Sequence, residues 1–82
     1  MEKQKINYVS LVLEDMVRHK SKAIIEELPL LVEDDKQGKI EITYRATVNG
    51  VKIRGTAENK KEAKRRCYEK IFKERFHLMP PL

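Results

Sequence analysis

Asn59-Lys60-Lys61-Glu62-Ala63-Lys64-Arg65-Arg66-Cys67-Tyr68-Glu69-Lys70-Ile71-Phe72-Lys73-Glu74-Arg75-Phe76 reads as a single helix. Asn59 is a good N-cap, because its side-chain oxygen can accept an amide hydrogen of the first turn. Strong helix formers follow, and no Gly or Pro interrupts them before Pro80. At about 100° per residue, Ala63, Cys67 and Ile71 fall on one stripe, with Tyr68 and Phe72 beside it. This run carries eight basic and three acidic side chains. The rest of the chain has ten of each, so the whole formal charge of +5 belongs to this helix. Lys60, Lys61 and Lys64 cluster at its N-terminus, where the helix dipole and unpaired amides favour an anion. Lys60 and Lys64 share an angular sector with Ile71 of the apolar stripe, which places them beyond the edge of whatever the stripe covers. Arg66, Lys70 and Lys73 form a second group on the solvent side. Charge concentrated in this way points to a polyanionic partner.

Working outward, the 82 residues make one small domain with a limited core. Hydrophobic residues at 40% and charged residues at 38% fit a folded domain with a heavily charged surface. No apolar run is long enough to span a membrane, and the polar start Met1-Glu2-Lys3-Gln4-Lys5 has no signal-peptide pattern. A single Cys excludes an internal disulfide and a cysteine-based zinc cluster, and suggests a reducing, intracellular setting.

Ahead of the basic helix lies a hairpin. Ile40, Ile42, Tyr44, Ala46 and Val48 alternate with polar residues, the period of a half-buried strand. Asn49-Gly50 is a two-residue turn, since both positions need positive φ. Val51-Lys52-Ile53-Arg54 returns as the partner strand, pairing Val48 with Val51 and Ala46 with Ile53. Gly55-Thr56-Ala57-Glu58 turns into the helix. Earlier still, Leu30-Leu31-Val32-Glu33 reads as a short strand, and Asp34-Asp35-Lys36-Gln37-Gly38 as a polar loop. Residues 21–28 suit either a helix extension or a strand, with Pro29 breaking whichever forms. A first helix is expected over about 8–20, capped by Asn7, with Ile6 and Leu11 as a hydrophobic staple. Its buried face would be Val9, Val12, Leu13, Met16 and Val17.

Helix, three strands, helix is an α+β arrangement. A three-stranded antiparallel sheet would be covered on its apolar face by both helices. At this point the chain resembles the double-stranded RNA-binding domain family over roughly residues 6–76. Residues 1–5 and 77–82 are expected to be loosely ordered tails. The resemblance is carried by Asn59-Lys60-Lys61-Glu62-Ala63-Lys64, by Thr47-Val48-Asn49-Gly50 and by Gly55-Thr56-Ala57. Cys67, Tyr68 and Ile71 stand where the family mostly has alanine. Such domains read A-form duplex by shape, through two successive minor grooves and the phosphates between them. The resemblance implies that Lys60, Lys61 and Lys64 hold phosphates. It implies that Glu14, with Ser10, meets a minor groove and its 2′-hydroxyls. The loop that reaches the second minor groove departs from the family. It is short, lacks the usual Pro and His, and carries Glu33, Asp34 and Asp35 beside the expected phosphates. Lys36, Gln37 and Lys39 could substitute in part.

Other chemistry has little support. His19 and His77 show no metal-ligand pattern, Cys67 lies on the buried stripe, and no phosphate-binding glycine loop exists. No cofactor, metal or catalytic group is expected. Tyr44 and Phe72 read as core, so stacking on single strands is not expected. Two readings stay open. One is a duplex-RNA module of a larger RNA-processing, editing or silencing protein, cytoplasmic or nuclear. The other is a module of the same fold that dimerises or docks a protein. It would use Val51, Ile53, Tyr68, Phe76, Leu78 and Met79 on the edge strand and the tail.

Overall fold

The computed structural model describes residues 6–34 and 37–79. The chain runs α1 (Tyr8–Arg18), β1 (Ile25–Glu27), β2 (Leu31–Asp34), β3 (Ile40–Val48), β4 (Val51–Ala57), α2 (Lys60–Lys73) and α3 (Arg75–Leu78). The architecture is α+β, with four antiparallel strands rather than the three expected. β3 is the centre: β1 and β2 pair along one side of it, and β4 along the other. β1 and β2 are two halves of one edge, split at Pro29. Glu27 pairs with Ala46 and Leu31 with Thr43, so three residues on the edge oppose two on β3. Pro29 has no amide to give to the ladder and is tolerated at such an edge bulge. Arg45 stitches the gap: its Nη2 donates to the Pro29 carbonyl at 2.9 Å, and its own carbonyl accepts from the Leu28 amide at 2.9 Å. Residues 21–28 thus resolve as a loop followed by a strand.

The hairpin forms as its sequence requires. Asn49 and Gly50 have φ of 50° and 83°, and Val48 pairs with Val51 and Ala46 with Ile53. Tyr44, Ala46 and Val48 on β3 meet Ala63, Cys67 and Ile71 on α2, all buried, with Val12 of α1. Gly55 sets how close α2 can come, because a Cβ there would overlap the backbone of Ala63 and Cys67. Tyr68, which stands where the family mostly has alanine, is half-buried against Tyr44 at 6.3 Å between ring centroids.

α1 departs from its expected face. Val12 is buried and Met16 half-buried, but Leu13 is 53% and Val17 80% exposed. The reason is that α1 leans on α2 and α3. Tyr8 meets Phe72 at 6.1 Å, Asp15 meets Arg75 at 3.3 Å and His19 meets Phe76 at 6.2 Å. That sector lies about a quarter turn or more from Leu13 and Val17. The helix ends at Arg18, short of Lys20. The Lys20 amide bonds Val17 O and the Ser21 amide bonds Met16 O. This is a Schellman closure, with Lys20 at φ 51° where glycine is usual.

The C-terminus also corrects the expectation. Residues 77–79 are not a loose tail: α3 turns the chain back, and Leu78 (9% exposed) and Met79 (4%) join the core. Asn49 clamps them from the hairpin. Its Nδ2 donates to Leu78 O at 2.8 Å, its Oδ1 accepts from the Ile24 amide at 3.1 Å, and its amide donates to Ile24 O at 3.0 Å. Residues 1–5 and 80–82 lie outside the described residues, as do Asp35 and Lys36.

Candidate nucleic-acid interface

α2 begins at Lys60 because Asn59 is extended (φ −138°, ψ 160°) and its side chain accepts from the Glu62 amide at 2.8 Å. Its carbonyl takes the Ala63 amide at 3.0 Å. The amides of Lys60 and Lys61 precede any intrahelical partner and sit at the helix mouth.

The basic side chains of the helix sort into two kinds. Most are committed within the domain. Arg65 pairs with Glu62 at 3.0 Å and lies over the Tyr8 ring at 5.5 Å. Arg66 reaches Glu62 at 3.5 Å and donates to Thr56 O at 2.7 Å. Lys70 donates to Arg54 O at 2.8 Å, and Lys73 lies 3.7 Å from Glu69. Arg75, beyond α2, is held between the Phe72 and Phe76 rings and bonds Phe72 O at 2.7 Å. Lys60 and Lys61 are exposed, with no partner among the described residues. Lys64 is half-buried, its Nζ 5.9 Å from the ring centroid of Tyr44 on the central strand β3, so it lies over the sheet rather than beyond it. Glu62, the one acid of the first turn, is turned to Arg65 and Arg66 and is thereby neutralised.

Cations in a first helical turn oppose the dipole, at about 0.3–1 kcal/mol each. Lys60 and Lys61 therefore cost stability in the free domain and become favourable when an anion binds there. The α1 side supplies the neighbouring surface. Ser10 and Glu14 are exposed one turn apart, and the Ser10 amide is capped by Asn7 Oδ1 at 3.1 Å. Ser10 shares a cleft with Asn7, Tyr8, Lys61 and Lys64. Glu14 lies one turn further along α1.

Not every sequence candidate joins this surface. Lys39 lies on the other flank of the α2 first turn, in a concavity with Glu33, Asp34, Glu41, Glu58 and Asn59. Lys36 lies outside the described residues. The partner-surface candidates do not form one surface. Leu78 and Met79 are core, Tyr68 and Ile53 pack inward, and only Val51 (49% exposed) and Phe76 (56%) are open. The β4 edge is partly closed as well. Lys70 and Arg66 occupy the carbonyls of Arg54 and Thr56, which alternate with the β3-bonded positions of β4. Sequence reasoning missed this use of Arg66 and Lys70. Their spacing of four on one face was the available sign, and it fits two successive outward carbonyls of a strand beneath.

Burial, first of all, pushes the Tyr44 and Tyr68 hydroxyls up. Burial pushes the Cys67 thiol up to about 11, and its Sγ lies 3.6 Å from Ile53 O. A thiol in that state is a core group and not a nucleophile. Among the described residues, no cluster of three or more His, Cys, Asp or Glu could hold a metal. No helix there is long and apolar enough to cross a membrane.

No curated protein matches the chain. A family model, the double-stranded RNA binding motif, matches residues 8–75, from the first residue of α1 to the first of α3. The match spans the sheet, both long helices and the lysines at the mouth of α2. The chain belongs to the double-stranded RNA binding motif family, and its folded unit is a binding module for duplex RNA rather than a catalytic domain.

Proposed function

We propose that the domain grips A-form duplex at two adjoining places. Lys60 and Lys61, with Lys64 behind them, hold phosphates at the α2 mouth. Ser10 and Glu14 on α1 meet the 2′-hydroxyls of the adjacent minor groove, the group that distinguishes RNA from DNA. One observation carries this reading: Lys60 and Lys61 have no partner among the described residues, at the helix end where cations are least favoured. The module would serve a larger RNA-processing, editing or silencing protein in the cytoplasm or nucleus. Titration with duplex RNA, duplex DNA and single-stranded RNA at two salt concentrations tests it. Duplex RNA should bind tightest, with a steep salt dependence. Equal binding to single strands would refute it.

A second copy or a protein partner is the other reading. It keeps Val51 and Phe76 as open apolar residues. Sedimentation across concentration tests self-association, and a strictly monomeric domain would leave only a heterologous partner.

A further inference from the structure

The first turn of α2 stands between two surfaces of opposite character. On one flank is the cleft shared by Ser10, Lys61 and Lys64. On the other flank is the concavity at the β2–β3 end, whose carboxylates are Glu33, Asp34, Glu41, Glu58 and Glu62. Among the described residues two cations line that concavity, Lys39 and Arg66, so it stays net negative even with Glu62 held by Arg65 and Arg66. Neither is in reserve. Arg66 is spent on Thr56 O and Glu62, and Lys39 already has a partner within the chain. The acidity is also costly in the free protein. Glu33 and Glu41 are direct cross-strand partners, and like charges facing each other across a ladder are destabilising.

A duplex lying along phosphates at Lys60 and Lys61 has one end over α1. Its other end comes over these carboxylates. Members of this family commonly span about 16 base pairs, with a minor groove at each end. Here the second end meets a net negative surface where the duplex backbone is itself negative. We propose that the duplex footprint of this domain stops at the α2 N-terminus, engaging one minor groove and the adjoining phosphates, so that its substrates are short duplexes and hairpin stems. A stem of roughly 10 base pairs, about two thirds of the family span, then suffices. The proposal rests on the duplex-RNA reading given above.

The test is binding of the domain to RNA duplexes of 10, 16 and 24 base pairs at one salt concentration, with affinities corrected for the number of overlapping registers. The expected gain from 10 to 16 base pairs is less than threefold. A gain of threefold or more overturns the proposal, because the second end would then be making a contact. A second arm neutralises the concavity with Glu33→Gln, Asp34→Asn and Glu41→Gln together. The three side chains are exposed, and the change relieves a repulsion, so the fold should hold by circular dichroism. The variant should gain affinity for 16 base pairs and not for 10. An equal gain on both lengths, or a loss on the longer one, overturns the assignment of the acidic end. Failure to bind any duplex overturns the parent reading instead, and is recognised by the absence of binding at 24 base pairs.

Discussion

Two double variants with the same charge change separate the proposed phosphate site from ordinary surface charge. Lys60→Ala with Lys61→Ala removes two cations that have no partner among the described residues. Arg66→Ala with Lys70→Ala removes two cations bonded to Thr56 O and Arg54 O at 2.7 and 2.8 Å. Each phosphate contact contributes roughly 0.9 to the slope of log affinity against log salt. Losing two contacts should therefore flatten the slope by about 1.8. Over a fourfold salt range, that is roughly a tenfold smaller loss of affinity. The Arg66/Lys70 variant should leave the slope within about 0.5 of the parent, since those groups are bound to the β4 edge. Stability should move the other way. The first pair relieves an unfavourable dipole interaction and should stabilise by about 0.5–1 kcal/mol, read by urea unfolding. The second pair uncovers two edge carbonyls and should be neutral or destabilising. Equal flattening in both variants would refute the sorting of the helix into bound and free cations. A K60A/K61A protein that is folded but has an unchanged slope would refute the site itself.

The strained Lys20 at φ 51° should be improved by glycine. Lys20→Gly should stabilise by about 0.5–1 kcal/mol, read as a higher urea midpoint with an unchanged m-value, and a loss of stability would refute the closure described. Asn49→Ala removes two side-chain hydrogen bonds and places alanine at φ 50°, costing about 2–3 kcal/mol. Asn49→Gly keeps the turn and should cost about half of that; hydrogen exchange should show residues 75–79 losing protection in both. The Cys67 thiol ionises near pH 9 when unfolded and near 11 when folded. Its raised value contributes stability that is intact below pH 9 and lost as pH rises toward 11, by about 2–3 kcal/mol at most. Denaturation at pH 8, 9.5 and 11 should show that fall, and Cys67→Ala should reduce it.

What was legible in the sequence is what neighbours along the chain decide. Asn59 and Asn7 cap because the amide each accepts lies three residues on. Asn49-Gly50 turns because both residues accept positive φ, and that turn fixed the register from Val48 to Ala46. The buried stripe Ala63, Cys67 and Ile71 followed from helical period alone. The misread elements depend on partners far away. Leu13 and Val17 look like core until α2 and α3 take the other side of α1, through contacts from Tyr8 to Phe72 and Asp15 to Arg75. Leu78 and Met79 look like a tail until Asn49, 29 residues earlier than Leu78, holds the chain back. β1 spans only three residues, below what alternation can mark. At the candidate site, Lys61, Lys64 and Ser10 line one cleft, while Lys39 lies on the opposite flank.

α2 thus holds two devices that a charge count merges. Every second residue of β4 turns its polar backbone away from β3, and an open edge of this kind is a template for another chain. Arg66 and Lys70, four apart, drop onto Thr56 O and Arg54 O and occupy two of those groups. Arg54 and Lys52 add like charge along the same strand. Pairing of β4 with a second copy must therefore break two charge-assisted hydrogen bonds and bring cations together, which argues against self-association through this edge. The same helix leaves its first turn uncommitted. Glu62 binds Arg65 and Arg66, so the acid of the first turn is turned away from Lys60 and Lys61. The charge that protects the sheet and the charge available to a duplex are thus kept at different ends of one helix. That separation is why a lysine-rich face can hold the fold together and still leave a cationic mouth.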